Sequence, residues 1–310
     1  MPNGPTEFRT TTVKPYLQES NPQINQHENL QIDPVDNQQI NPIDDPQIDP
    51  EINQQELNGL LDRGVFEIVD NTPVGIQIFG SQFVDQVKNK GTEKAFEKSR
   101  LVVQAYNNLD KKHILTQAPT IQRASQRLIL ALSMILPDLS VYLRDISQAY
   151  TQSTLKLARD VFIQAPAEMQ LAPGTVLHVI LPLYSIPESG THWFRTYHTH
   201  YIQKLKMIPS TFDNCLLFNK DMTVIIGLQI DDTLIAATPG FMEIELKELN
   251  SASLLAKPCK KLTTEHPLEF NGFAITLRNI ETIIDQAKQI KKIQLLSKSF
   301  TKEQYIAQQA

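Results

Sequence analysis

The sequence predicts an α+β fold, and three observations carry that prediction. Its 310 residues leave room for a core and for one or two domains. Segments with strand-like and helix-like apolar spacing interleave along the chain. Around VIIGLQIDDTLIAA (Val224 to Ala237) the connections are of the hairpin type, which argues against a doubly wound parallel sheet.

The formal net charge of −5 conceals an uneven distribution. Met1 to Asn58 holds ten Asp/Glu against two Lys/Arg, and the remaining residues hold 24 acids against 27 bases. An acidic segment thus precedes a mildly basic body, which is compatible with a polyanionic partner. QIN, QID and EIN recur from Gln23 to Asn53 among Gln, Asn, Asp and Pro, with only isolated Ile. Such a composition buries too little apolar surface to offset its ordering entropy, so residues 1–55 read as a disordered linker.

Order is expected from Glu56. ELNGLLDRG has helical apolar spacing and a Gly where a helix stops. FEIVD and GIQIFGSQFVDQV read as short strands. KNKGTEKAFEKSRLVV is a Lys-rich connection feeding a further strand, and Lys88, Lys90 and Lys94 fit a solvated basic turn. TIQRASQRLILALSMILPD is a helix ended by Pro137, with Ile121, Ala124, Leu128, Ala131, Leu132 and Ile135 expected on one face. VYLRDISQAY (Val141 to Tyr150) reads as a strand with a charged pair in its middle. SGTHWFRTYHTHYIQKLK is a second helix, striped by Trp193, Tyr197, Tyr201 and Leu205. CLLFN, TVIIGLQI and TLIAA follow as strands.

Asp231 and Asp232 stand side by side within an apolar run. Asp suits turns, and a turn must join the two strands. The other reading is that the pair holds a cation, since neighbouring unneutralised carboxylates repel and Mg²⁺ favours carboxylate and phosphate oxygens. Asp145 bears on the choice: Asp is disfavoured within a strand and wants a partner, while Arg144 beside it points to the other face. Setting that strand beside the doublet hairpin would gather three carboxylates at one sheet edge. A two-metal site, with ions ~3.5–4 Å apart, needs such a set.

RDISQAY, LYSIPESGTHWF and LQIDDTL, in this order, resemble the reverse transcriptase of copia-type LTR retrotransposons, a part of the Pol polyprotein. KSRLVVQAYNN and ILTQAPTIQRASQRLILAL upstream, and LEFNGFAITL with IDQAKQIKKI downstream, are similar to flanking segments of that family. The resemblance covers roughly Glu51 to Leu296. It implies the fingers and palm of a right-handed polymerase, with a ferredoxin-like palm sheet and a thumb reduced or absent. Residues 56–296 would form that body, and 297–310 a C-terminal tail.

By the same resemblance, Asp145, Asp231 and Asp232 are the catalytic, metal-binding carboxylates for two Mg²⁺ or Mn²⁺ ions. Asp145 and Asp231 are implied as direct ligands and Asp232 as a ligand or supporting charge. Lys98, Arg100, Tyr150 and Glu188 would meet the incoming dNTP. Arg can bond two phosphate oxygens where Lys offers a point charge. Tyr150 stands where the family has an aromatic that excludes a 2′-hydroxyl; ordinary strand packing also accounts for it. Gly190, Gln229, Asn271 and Gly272 would face template or primer, although Asn271-Gly272 also suits a tight turn. Trp193 is assigned to packing behind the Glu188 loop.

Three positions depart from the family pattern: Gln229 replaces a Tyr, Ser185 a Gly, and TQS after Tyr150 an Asn-Gly. No protease, integrase or ribonuclease H segment is visible, so a fragment of a longer polyprotein is expected, with a thumb or ribonuclease H supplied by a partner. Two functions follow as expectations: RNA-directed DNA polymerase on an RNA or DNA template-primer, or a degenerate remnant that at most binds nucleic acid.

Other classes find no support. His192, His198 and His200 do not share a helix face, which argues against zinc. No glycine cluster has phosphate-loop spacing. Cys215 and Cys259 make no disulfide framework, no apolar run approaches the ~20 residues of a membrane span, and no secretory pattern opens the chain. An intracellular protein, cytoplasmic or nuclear and apart from membranes, is expected.

Overall fold

A computed structural model of the chain describes residues 49–70, 75–93, 95–105, 118–279 and 281–291. Its elements begin with α1 (Pro50–Asp62), β1 (Phe66–Val69), β2 (Ile78–Phe83), β3 (Gln86–Lys88), β4 (Phe96–Lys98), β5 (Leu101–Gln104), α2 (Arg123–Ile135) and β6 (Ser140–Asp145). They continue with β7 (Val161–Gln164), β8 (Val176–Val179), α3 (Ser189–Gln203), β9 (Ile208–Pro209), β10 (Leu216–Phe218), β11 (Val224–Gln229) and β12 (Asp232–Ala237). The last are α4 (Pro239–Ser251), β13 (Lys260–Lys261), β14 (Leu268–Phe270), β15 (Phe273–Arg278), β16 (Glu281–Asp285) and α5 (Ala287–Ile290). Lys94, most of the linker, the ILTQ segment and the tail 297–310 lie outside the described residues.

Two sheets organise these elements. One has the order β13-β6-β12-β11-β10-β9 and the other β1-β8-β7-β2-β5. Among the described strands β2 and β7 pair in parallel, while the other ladders are antiparallel. The chain is therefore mixed α and β, with separate cores on the two sheets. All the described residues fall within one compact unit, Pro46–Ala310.

Both faces of the six-stranded sheet are covered, which is why β11 and β12 read as nearly continuous apolar runs. Thr233 on β12 meets Tyr197 of α3, oxygen to oxygen, at 3.1 Å. Trp193, Tyr197 and Tyr201 are all buried on α3, as the stripe predicts. The opposite face takes α2, seated over Gly227 of β11. A Cβ on Gly227 would stand 2.2 Å from Ile121 Cδ1 and 2.8 Å from Ile129 Cδ1. The missing side chain is what lets α2 approach.

That contact changes most of the face expected for α2: Ile121 and Leu132 meet the core as expected, whereas Ala124, Leu128, Ala131 and Ile135 are exposed. The buried residues of α2 are Ser125, Gln126, Ile129, Leu130 and Ser133. Apolar spacing admits both stripes, and the groove over Gly227 selects the one led by Ile129.

Three boundaries also differ from expectation. α1 starts at Pro50 because Asp49 caps it, accepting from Glu51 N at 3.0 Å, and its Leu57 and Leu60 reach the core. β6 ends at Asp145, and Tyr150 lies in a short 3-10 turn (Ala149–Gln152) entered through Gln148 at φ 47°. Near the C-terminal end β16 takes Glu281–Asp285, and α5 keeps only Ala287–Ile290 of the helix expected over IDQAKQIKKI.

Candidate active site

The site grows from the end of β6 and the β11–β12 turn. β6 and β12 run antiparallel with Asp145 directly opposite Asp232, and Gln229 pairs with Asp232 across the hairpin. Ile230 and Asp231 form the turn. Ile230 has φ 52°, a conformation that a β-branched residue rarely adopts. Such strain costs about 1–3 kcal/mol and persists only where surrounding contacts impose it. Two contacts do so: Trp193 Nε1 donates to the Ile230 carbonyl at 2.8 Å, and Ile146 N donates to the Asp231 carbonyl at 2.9 Å. Trp193 is thus core, as assigned, and also the brace of the doublet.

Asp145 and Asp231 line one cavity of about 780 Å³, which Lys98, Arg100 and Tyr150 line as well. Arg100 lies over the Tyr184 ring, 5.7 Å from its centroid, and the Tyr184 and Tyr150 rings stand 5.6 Å apart. Burial raises the Tyr184 hydroxyl to about 12 and also raises that of Tyr150. Burial lowers the Lys98 ammonium, and the like charges of Arg100 and Lys257 add to the effect.

Lys257 enters from the segment after α4. Its Nζ stands 2.5 Å from Asp145 Oδ2. Its backbone is fastened on both sides, with Lys257 N donating to the Asp145 carbonyl at 2.9 Å and Arg144 Nη1 donating to the Lys257 carbonyl at 2.9 Å. Arg144 itself points to the other face and pairs with Glu245 of α4. Burial opposes the guanidinium's charge, yet the bonds to Glu245 outweigh it and hold the Arg144 pKa above its ordinary value.

The doublet divides between two depressions. Asp231 faces the Asp145 cavity, while Asp232 lines a smaller one of about 260 Å³ with Asn271 and Gly272. Desolvation, then repulsion from Asp231 and Asp145, pushes Asp232 up to about 6. Desolvation and Asp145 raise Asp231 too, although its side chain keeps contact with solvent. Among the described residues, no group of three or more His, Cys, Asp or Glu is disposed to hold a metal ion. The donor atoms suit a hard cation, which would offset the mutual repulsion of the carboxylates. The ammonium of Lys257 already neutralises part of their charge.

The other residues singled out in the sequence lie as follows. Gly190 and Tyr150 line a neighbouring cavity of about 870 Å³ with Ser185 and Ile230. Ser185 has φ 67°, a conformation that favours glycine. Gln229 is partly buried, and its Oε1 accepts no hydrogen bond. Asn271 and Gly272 turn with φ 48° and 77°, the signs a two-residue hairpin requires, between the buried Phe270 and Phe273. Glu188 is 7% exposed and pairs with Arg159 at 2.7 and 3.1 Å. It is not among the residues that line the Asp145 cavity.

Tyr184, Gln148 and Lys257 line the Asp145 cavity without having been singled out. The Tyr in LYS and the Gln in DISQAY sat inside quoted motifs, so a signal existed for both. Lys257 had none, because 112 residues separate it from Asp145.

Residues 63–289 match the family model described as reverse transcriptase (RNA-dependent DNA polymerase). The chain belongs to that reverse transcriptase family, whose activity is RNA-directed DNA synthesis on a nucleic-acid template-primer. Among curated proteins none matches the chain. No helix among the described residues is long and apolar enough to cross a membrane.

Proposed function

We propose that the chain is the RNA-directed DNA polymerase domain of a copia-type retrotransposon. The observation that carries this reading is the cavity in which Asp145 and Asp231 face Lys98, Arg100 and Tyr150. The order of RDISQAY, LYSIPESGTHWF and LQIDDTL supports the copia type. In this reading the six-stranded sheet is the palm, β2 to β5 belong to the fingers, and the thumb is reduced or absent. The polymerase body extends from Pro50 to about residue 296, after a linker and before a short tail.

Asp145 and Asp231 would hold Mg²⁺ or Mn²⁺, with Asp232 as a supporting charge. Bound there, such ions would supply a lowered pKa for a primer 3′-hydroxyl and positive charge against the pyrophosphate leaving group. Lys98 and Arg100 face the triphosphate of the dNTP. Tyr150, beside Gly190, borders its sugar. Asn271, Gly272 and Gln229 flank Asp232 on the primer side. Lys257 holds Oδ2 of Asp145, so its ammonium would compete with a cation for that oxygen. Work on a template inside the cell accords with two free cysteines, Cys215 and Cys259.

The ion pair of Lys257 with Asp145 favours a second reading, a remnant that binds nucleic acid without extending it. Primer extension separates the two. The parent chain, an RNA template, dNTPs and Mg²⁺ or Mn²⁺ are compared with Asp145→Asn and Asp231→Asn. Extension by the parent and silence in both variants is expected. A folded parent that binds template-primer in a salt-sensitive way but never extends it would leave the remnant.

A further inference from the structure

α1 lies just before the segment that matches the family, residues 63–289, yet its Glu56 bonds a residue that lines the candidate site. Glu56 Oε2 accepts from Gln148 Nε2 at 2.7 Å, and Gln148 lines the same cavity as Asp145, Lys98 and Arg100. The other oxygen, Oε1, is buried and accepts no hydrogen bond. Leu57 and Leu60, both fully buried, fix the helix on the core, so the carboxylate is held rather than swinging in solvent.

Burial raises the Glu56 pKa above its ordinary value, while the bond from Gln148 and the charges of Arg63, Lys98 and Arg100 work the other way, favouring its ionised form. Lys98, in turn, is repelled by Arg100 and Lys257 and attracted by Glu56 and, to a smaller extent, Asp145. A half-buried carboxylate with one unused oxygen, bonded to a residue of the cavity that Lys98 and Arg100 line, is placed to act as an internal counter-ion.

We propose that Glu56 is the resident anion of this wall, against which a polyphosphate ligand competes for Lys98 and Arg100. The inference rests on the reading that the wall receives a triphosphate. In the free protein Glu56 limits repulsion between the cations and holds Gln148 on the turn that follows Asp145. When a polyphosphate arrives, its oxygens take over the same cations, and the charge of Glu56 then opposes the ligand. Affinity is thereby kept lower than the cations alone would give.

The test is binding of inorganic tripolyphosphate by titration calorimetry, without metal, to the full chain and to Glu56→Gln. The substitution removes the charge and leaves a side chain able to bond Gln148. Roughly threefold to tenfold tighter binding by Glu56→Gln is expected, with a steeper loss on adding salt, because one opposing charge is gone. A folded Glu56→Gln that binds no more tightly than the parent overturns the proposal. Should Glu56→Gln fail to fold, Glu56→Asp, which withdraws the carboxylate by one methylene, is expected to tighten binding less, and unchanged binding overturns it equally. Lys98→Gln separates the two levels. If it weakens tripolyphosphate binding while the Glu56 variants leave binding unchanged, the cationic wall stands and Glu56 alone is refuted. If no variant and no parent binds, the triphosphate reading of the wall falls as well.

Discussion

Glu245→Gln probes how the strand that carries Asp145 is anchored. Arg144, next to Asp145, is 2% exposed and Glu245 is 0% exposed. Their bonds run from Nε to Oε1 at 3.0 Å and from Nη2 to Oε2 at 2.5 Å. Removing the carboxylate's charge leaves a guanidinium buried without its counter-ion, and breaking such a pair from one side costs about 3–5 kcal/mol. Two features place this case at the lower end. Arg144 Nη1 keeps its bond to the Lys257 carbonyl, and the glutamine can still accept one hydrogen bond. The expected loss is about 3 kcal/mol, read as a lower urea midpoint at unchanged m-value. Joint replacement, Arg144→Met with Glu245→Leu, removes both charges and should fall within about 1 kcal/mol of the parent. A loss below about 1 kcal/mol in Glu245→Gln, or a joint variant as damaged as the single one, would show that the pair's charges do not anchor β6.

Gly227→Ala should cost about 1–3 kcal/mol of stability in the same urea assay, because its Cβ meets Ile121 and Ile129 and α2 must shift; a neutral result would mean that α2 sits more loosely than described. Lys257→Met should bind Mn²⁺ up to about fivefold more tightly than the parent, measured by electron paramagnetic resonance, since a half-exposed ion pair is worth at most about 1 kcal/mol; weaker Mn²⁺ binding would count against competition at Asp145. For Asp232 the folded pKa, about 6, lies above the ordinary 3.8, so the folded state binds the proton more tightly. Its contribution is full below the ordinary value and is lost as pH rises through the folded one. In metal-free buffer, Asp232→Asn should therefore be more stable than the parent at pH 7, by on the order of 1 kcal/mol after solvent screening. The difference should shrink towards pH 4, and a constant difference across that range would show that Asp232 does not titrate as described.

Much of the architecture was legible in local pattern. The stripe of Trp193, Tyr197 and Tyr201 repeats at one helical face, and each of these residues is buried on α3. The alternation around the doublet marks two strands with a turn between them, and β11 and β12 follow it. α2 was legible as a helix but not as a face, since Leu128 and Ile129 are equally apolar and only the groove over Gly227 distinguishes them. The end of β6 at Asp145 was illegible for a related reason: the residues after it, ISQAY, have strand-like composition, and the chain leaves the ladder because Ile146 and Ser147 bond to the doublet turn and to the segment after α4.

The sequence by itself determined the family, the element types and the acidic residues that make this chain a candidate for phosphate chemistry, because these rest on residue identity, order and short-range periodicity. Tertiary structure alone decided which charges face each other. Asp145 meets Lys257 across 112 residues, Glu56 meets Gln148 across 92, and Arg144 meets Glu245 across 101. No local spacing encodes such pairs. They follow from the register of β6 against β12 and from where α1 and α4 come to rest. A charge's behaviour depends on burial and on its neighbours in space, and both are set only when the sheet and helices have packed.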